Sequence, residues 1–422
     1  MTINSLLQPF QRFGVHLGLN RIQTLLAKLG NPHQTIPIIH VGGTNGKGSV
    51  CAYLSSILTE AGYKVGRYTS PHLIDWTERI CLNNLPISET KLKDLLININ
   101  KSIDFSQETP TQFEVITAAA WVYFAQEKVD IAIIEVGLGG RLDATNVCES
   151  PLGTVITSIS REHWQHLGPT IADIAREKAG ILKFGCPVIL GPIPDEAKNV
   201  FQSRIEALNC PDIWVNPAIY IRDNWAIYQD IEYPLPLLGE MQLSNSALAI
   251  ETIKILQEKG WNIPVNAIKN GIGKTQWLGR IQWVRWHNYS ILIDGAHNPA
   301  AAKMLRSYVD TFAQPVTWVM GILSTKEHDK IFQELLRNND SLYLVPVPDH
   351  STADPQKLAQ LAVHINPNLE VVKTKKTVFS ALEEANKYQS PKQLIVLCGS
   401  LYLVGHFLGN IENERNLGYN KL

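Results

Sequence analysis

The stretch Ile38-Ile39-His40-Val41-Gly42-Gly43-Thr44-Asn45-Gly46-Lys47-Gly48-Ser49 constrains this chain more than any other. A short apolar run stops at glycines and a lysine, and an amphipathic segment over residues 50–61 follows at once. Strand, glycine-rich turn and helix is the layout that cradles phosphates. Glycines let backbone N–H groups close around anionic oxygens, the helix N-terminus adds partial positive charge, and the lysine adds a full one. The generic phosphate loop has Ser or Thr directly after the lysine, whereas here Gly48 intervenes before Ser49. A plain glycine turn between a strand and a helix is the structural alternative.

The rest of the chain extends this α/β theme. Residues 1–35 read as mostly helical, with Leu19, Ile22, Leu25, Leu26 and Leu29 at helical spacing and Gly30-Asn31-Pro32 as the stop. Strands are expected over 63–68, 129–136, 154–159 and 186–190, with a hairpin or loop around Asn83-Asn84. Helices are expected from Ser88 and Glu89 to about Asn98, over 113–126 and over 171–182. Residues 137–146 form a loop with three glycines. Trp214, Tyr220, Trp225, Tyr228 and Tyr233 within 211–236 suggest a small antiparallel sheet, residues 243–260 a helix, and 271–280 a connector. A second rhythm then begins, with strands over 290–293, 316–320, 342–347, 369–372 and 394–397. Alternating strands and helices imply mostly parallel sheets. The division expected is a domain over 1–278, a linker over 279–285 and a Rossmann-like α/β domain over 286–422. The second domain has no GxGxxG, so no dinucleotide site is read there.

A chain of 422 residues implies two or three domains. With 45% hydrophobic and 18% charged residues it has ample core for a soluble globular fold. A net charge of −1 leaves no electrostatic footprint for nucleic acid, and Lys375 and Lys376 read as a solvated strand end. Six scattered cysteines without a CxxC pair argue for free thiols in a reducing compartment. No apolar run reaches membrane-spanning length, and the N-terminus lacks the pattern of a signal peptide. The expectation is a cytoplasmic enzyme.

Ligands of parallel α/β sheets sit at the carboxyl ends of strands. Ser70, Glu135, the Arg161-Glu162-His163 run, Asp294, His297 and Asn298 all fall there. A carboxylate ending an apolar strand, as Glu135 does, needs a partner or a cation. Beside a phosphate loop, magnesium is the natural cation, and a salt bridge to Lys47 or Arg141 is the alternative. His163 and His166 form HxxH, a weak zinc pattern with no further ligand in support. Lys178 shares its helix face with Ile171, Ile174 and Ala175, so it projects from the buried side. Either its amine is buried, and then has a depressed pKa, pairs with an acid or is chemically modified, or its stem lies on the core and its head snorkels to water. Asn298 suits a helix cap and Pro299 the first helical position.

These residues, with Leu17-Gly18-Leu19-Asn20-Arg21-Ile22, Thr69-Ser70-Pro71-His72-Leu73, Glu78-Arg79-Ile80, Phe113-Glu114, Glu135 to Asn146, Glu177-Lys178-Ala179-Gly180-Ile181, Asp294-Gly295-Ala296-His297-Asn298-Pro299 and Cys398-Gly399-Ser400, resemble the folylpolyglutamate synthase and dihydrofolate synthase family of the Mur ligase superfamily. The resemblance spans nearly the whole chain, and Gly48 is part of the family's own loop. It implies a Mur-ligase-like P-loop domain, with a mostly parallel sheet and a smaller antiparallel one, followed by the Rossmann-like domain.

The activity implied is ATP-dependent addition of L-glutamate to dihydropteroate, to folates or to both, through an acyl phosphate. By resemblance, Thr44, Asn45, Gly46, Lys47, Gly48, Ser49, Asn245, Arg280 and Asp294 contact ATP. Ser70, Glu135 and His163 hold Mg2+, with two ions expected. Lys178, His163 and Lys47 are the catalytic set, and Lys178 is the lysine that relatives carry as a carbamate. Val15, His16, Leu17, Thr111, Gln112, Phe113, Glu114, Leu142, Asp143 and Ala144 match the dihydropteroate site of bifunctional members. His297 and Ser400 are candidates for glutamate.

Two departures stand out. Glu162 replaces a frequent aspartate, and Gly239-Glu240-Met241-Gln242 replaces a Gly-x-His-Gln run before Asn245. A monofunctional synthase, another Mur-type ligase and a non-catalytic P-loop regulator are the competing readings. A monomer without nucleic-acid or membrane partners is expected.

Overall fold

The computed structural model describes residues 1–11, 16–387 and 394–416. The chain divides into two compact units, Met1–Pro236 with Met241–Gln276, and Leu237–Glu240 with Trp277–Leu422.

In the first unit, strands β1 (Ile38–Gly42), β2 (Val65–Tyr68), β3 (Ile80–Leu82), β4 (Leu85–Pro86), β5 (Ile131–Glu135), β6 (Gly153–Ile156), β7 (Val188–Leu190) and β8 (Asp212–Trp214) form one sheet. Their order is β4-β3-β2-β5-β1-β6-β7-β8. From β2 to β8 every pairing is parallel, and β3 and β4 add an antiparallel edge. Strands β9 (Ile219–Arg222), β10 (Trp225–Tyr228) and β11 (Ile231–Pro234) form a separate antiparallel sheet. Helices are α1 (Ile3–Leu7), α2 (Asn20–Lys28), α3 (Lys47–Glu60), α4 (Glu89–Lys101), α5 (Gln112–Glu127), α6 (Trp164–Leu167), α7 (Ile171–Ala179), α8 (Asp195–Ala207), α9 (Met241–Glu258) and α10 (Val265–Lys274).

The physical basis of this sheet is direct. All residues of β1 and β5 are buried, as an apolar strand covered on both faces requires. One core cluster gathers α1, α2, α4 and α5 around Phe10, Trp121 and Phe124, and another packs α7 and α8 around Ile174, Ile181 and Phe201. Helix α5 starts at a capping box, in which the Thr111 hydroxyl accepts from Glu114 N–H and the Glu114 carboxylate accepts from Thr111 N–H.

In the second unit, β12 (Gln282–Trp286), β13 (Tyr289–Ile293), β14 (Val316–Met320), β15 (Ser341–Leu344), β16 (Val371–Thr374) and β17 (Leu394–Cys398) pair in the order β12-β13-β17-β14-β15-β16. All pairings are parallel except β12 with β13. Helices α11 (Pro299–Asp310), α12 (His328–Leu335), α13 (Pro355–Ile365), α14 (Val378–Lys387) and α15 (Leu401–Asn416) complete it.

Several expectations need correction. Trp214 belongs to β8 in the large sheet rather than to the small one. Residues 282–285, expected as linker, lie in β12. Residues 271–274 end helix α10 instead of opening a connector. No helix among the described residues is long and apolar enough to cross a membrane.

Candidate active site

Strand β1 lies between β5 and β6, so the loops leaving these three strands meet at one sheet edge. Gly43 has φ +134°, and a Cβ there would lie 2.1 Å from Thr157 Oγ1. Only glycine lets the loop pass this close to the end of β6. The loop is then tied down by hydroxyls. Thr44 N–H donates to the Ser158 carbonyl at 2.7 Å, and Asn45 N–H to Ser158 Oγ at 3.1 Å. The Thr157 and Ser158 hydroxyls both donate to the Asn45 carbonyl, at 2.7 and 3.0 Å. Ser160 N–H donates to Thr44 Oγ1 at 3.0 Å. Gly46 caps α3, whose first residues are Lys47, Gly48 and Ser49. A Cβ on Gly46 would lie 2.4 Å from Asn245 Oδ1, so α9 brings Asn245 against the loop. Gln242 orients that amide, accepting from Asn245 Nδ2 at 3.0 Å.

Glu135 ends β5 as a buried carboxylate. Its Oε2 accepts from Ser70 N–H at 3.0 Å, and Oε1 lies 3.9 Å from Lys47 Nζ. The salt-bridge alternative is therefore partly realised with Lys47, while Arg141 pairs with Glu177 at 2.9 Å. The Glu135 carboxylate and the Ser70 hydroxyl are hard oxygen donors, a set that suits magnesium. His163 occupies an exposed left-handed position (φ 51°), and its side chain is 45% exposed. Among the described residues, no three His, Cys, Asp or Glu side chains converge as a metal cage. Magnesium asks for none, since it takes few protein ligands and fills its shell with phosphates and water.

Lys178 is only 6% exposed, and its Nζ donates to the Gly43 carbonyl at 2.7 Å. Its head does not snorkel to water. Burial, with help from nearby Lys47, pulls its pKa down to about 7, against a partial opposing pull from Glu162 and Asp143. The amine is therefore about half neutral near pH 7.

A cavity of about 260 Å³ opens in the same unit. His16, Leu17, Thr111, Gln112, Phe113, Glu114, Leu142, Asp143 and Ala144 line it together with Phe10, Gly18 and Leu138. Val15 lies outside the described residues. Gly18 N–H donates to the Leu142 carbonyl at 3.3 Å and stitches two walls together. The sequence motif contains Arg21 but gives it no role, and in the structure it organises another wall. Its guanidinium meets both Glu114 oxygens at 3.1 Å and donates to the His16 carbonyl at 2.7 Å. A buried Glu114 needing a countercharge was the signal for it. Thr157, Ser158 and Ser160 were also passed over, although hydroxyls clustered after a strand were the available clue.

In the second unit, Asp294 follows β13. Its Oδ2 accepts from Ile281 N–H and its Oδ1 from Ala296 N–H, both at 2.8 Å. Burial raises its pKa, against the nearby Arg280 charge and these two N–H donors. A Cβ on Gly295 would lie 2.4 Å from Arg280 Nη1, so Arg280 and the Asp294 loop are adjacent. His297 Nδ1 is 2.7 Å from the Gly295 carbonyl. Asn298 caps α11 by accepting from Ala301 N–H, with Pro299 at the first helical position. Gly399 N–H donates to the Ala296 carbonyl, which brings the Ser400 turn beside the His297 turn. Ser400 is buried and its hydroxyl accepts from Tyr402 N–H.

Comparison with known proteins matches residues 41–190 to the Mur ligase middle domain and 279–410 to the dihydrofolate synthetase C-terminal domain. The dihydrofolate synthetase of Saccharomyces cerevisiae is 34% identical over 420 residues, covering 93% of this chain and 97% of the relative. The dihydrofolate synthase/folylpolyglutamate synthase of Bacillus subtilis is 38% identical over 346 residues, 77% of this chain and 80% of the relative. The Mycobacterium tuberculosis folylpolyglutamate synthase complexed with ADP superposes with a TM-score of 0.87 at 29% identity, covering 96% of each chain. The Escherichia coli enzyme FolC in complex with DHPP and ADP gives 0.85 at 30%, covering 97% of each.

Proposed function

As a member of the dihydrofolate synthase/folylpolyglutamate synthase family of Mur ligases, this chain, we propose, joins L-glutamate to the carboxylate of dihydropteroate and of folates, driven by ATP. One observation carries the reading. The loop that leaves β5 after Glu135 also supplies Leu138, Leu142, Asp143 and Ala144 to the cavity. The acceptor pocket and the phosphate loop thus leave neighbouring parallel strands, β5 and β1, at the same end of the sheet.

The triphosphate lies along Thr44 to Ser49, where the α3 N-terminus and Lys47 offset its charge. Asn245 contacts the nucleotide beside Gly46. The pterin ring fills the cavity against Phe113, Leu138 and Leu142, and directs its carboxylate toward the γ-phosphate. That oxygen attacks phosphorus, ADP leaves, and an acyl phosphate forms. The amine of glutamate then attacks the acyl carbon and phosphate departs. Fixed orientation and exclusion of water from the acyl phosphate are what the protein contributes.

Glu135, Ser70 and His163 would hold magnesium. When bound, the ion neutralises phosphate charge and polarises the reacting oxygens. Lys178 would carry a carbamate, formed when its neutral amine adds to the carbon of CO2 and releases a proton, beside the Lys47 charge. In the second unit, Arg280 and Asp294 serve the nucleotide, and His297 and Ser400 serve glutamate. The Bacillus subtilis relative named for both activities and the complex of the Escherichia coli enzyme with DHPP support the bifunctional form over a folate-only enzyme.

Phosphate release from ATP tests the reading. We expect release with dihydropteroate plus glutamate and with tetrahydrofolate plus glutamate, and none without an acceptor. No acceptor-dependent release in any mixture overturns the ligase assignment. Release with tetrahydrofolate alone reduces it to a folylpolyglutamate synthase.

A further inference from the structure

Beneath the acceptor cavity Asp143 anchors a buried hydrogen-bonded chain whose other two members, Thr145 and His40, have no role above. His40 lies in the middle of β1, three residues before Gly43. Its Nε2 is 2.9 Å from Thr145 Oγ1, and Thr145 Oγ1 is 2.6 Å from Asp143 Oδ1. All three side chains are buried. Asp143 Oδ1 also accepts from Thr145 N–H at 3.0 Å, and Oδ2 accepts from Leu138 N–H at 2.7 Å. Gly137 N–H adds to the same carboxylate.

Donor and acceptor roles follow from this count. Burial raises the Asp143 pKa, but the N–H groups of Gly137, Leu138 and Thr145 around it favour the ionised form, which only accepts, so the Thr145 hydroxyl donates its proton to Asp143. The Thr145 oxygen is then free to accept, and His40 Nε2 must carry the hydrogen. His40 is therefore the neutral Nε2–H tautomer, in keeping with burial that pushes its pKa down to about 3. The consequence for Asp143 is geometric. Its carboxylate gathers Gly137, Leu138 and Thr145 around itself and folds the glycine-rich loop into the cavity wall formed by Leu138, Leu142 and Ala144.

We propose that His40 and Thr145 are positioning residues for the acceptor: they fix the Asp143 carboxylate, and through it the wall against which the pterin ring packs. The chain also ties that wall to the strand whose end becomes the phosphate loop. This inference rests on the acceptor-site reading given above. It predicts that loss of the Thr145 hydroxyl weakens acceptor binding while nucleotide binding and the chemical step are spared.

The test is steady-state phosphate release by the full chain, with dihydropteroate and ATP varied separately, alongside thermal melts. Thr145→Val raises the KM for dihydropteroate about tenfold, the size expected for one lost positioning hydrogen bond. The KM for ATP and kcat stay within about twofold. Thr145→Ser keeps the hydroxyl and restores the wild-type KM. If Thr145→Val does not fold, the His40 pair decides. His40→Gln keeps an N–H at the same reach and retains the KM, and His40→Leu raises it about threefold. An unchanged dihydropteroate KM in a folded Thr145→Val or His40→Leu overturns the proposal. So does an equal loss on both substrates, which marks a merely structural role. If the wild-type protein neither turns over nor binds dihydropteroate, the acceptor reading itself falls.

Discussion

At the scale of single residues, Lys178 is where burial and chemistry meet most directly. Its pKa of about 7 stands against an ordinary 10.5. Between those values the unfolded chain binds a proton that the folded chain does not. Stability therefore rises with pH across that window, and the cost of burying the charged form is full below about pH 7. In CO2-free buffer, the unfolding free energy of wild type relative to Lys178→Met should increase between pH 7 and 9, as read from urea melts. A flat difference would mean the amine is not held down. Lys178→Ala should abolish turnover while circular dichroism stays native, and retained activity would leave the lysine a structural role alone. The placement of Lys178 was legible from the apolar spacing of Ile171, Ile174 and Ala175. Its partner, the Gly43 carbonyl, was not, because 135 residues separate the two in sequence.

At the scale of elements, the phosphate loop depends on glycine where β1 approaches β6. Gly43→Ala places a methyl against Thr157 at a φ that L-residues avoid, a strain of about 1–3 kcal/mol. We expect ADP affinity, measured by calorimetry, to fall more than about tenfold. Wild-type affinity would show that the loop adapts. The elements missed in the sequence have identifiable causes. Helix α8 buries only Ala197, Phe201 and Ile205, a stripe too thin to stand out among polar neighbours. Helix α10 contains Gly271 and Gly273, which lower helix propensity. A Cβ on Gly271 would lie 2.4 Å from Ile57 Cα, so that glycine answers to close packing against α3. By contrast, β1 and β5 were legible because strands buried on both faces must be continuously apolar.

At the scale of the whole molecule, each unit has its own buried sheet. In the second, Asp340 is 1% exposed and ties the sheet together. It accepts from Arg306 Nη1 at 2.6 Å, Trp318 Nε1 at 2.9 Å and the N–H groups of Val316 and Arg337 at 3.0 Å. Asp340→Asn removes the buried one of the two carboxylates that Arg306 meets, leaving the half-exposed Asp310, a loss of about 1–3 kcal/mol. Urea melts should show that loss as a lowered midpoint of the second unit's transition, and an unmoved midpoint would mean the network is dispensable.

The sequence alone determined the alternation of strands and helices, the phosphate loop, the strand-end carboxylate and the buried face of Lys178. Each is a local pattern, set by period, glycine placement or a charge at the end of an apolar run. Tertiary structure decided which strands became neighbours and which distant hydroxyls hold the Thr44 loop. It also decided that Arg21 faces Glu114, and that His40 reaches Asp143 through Thr145. These pairings join residues about 100 positions apart, and hydrogen bonds of that kind depend on distances that no local pattern encodes.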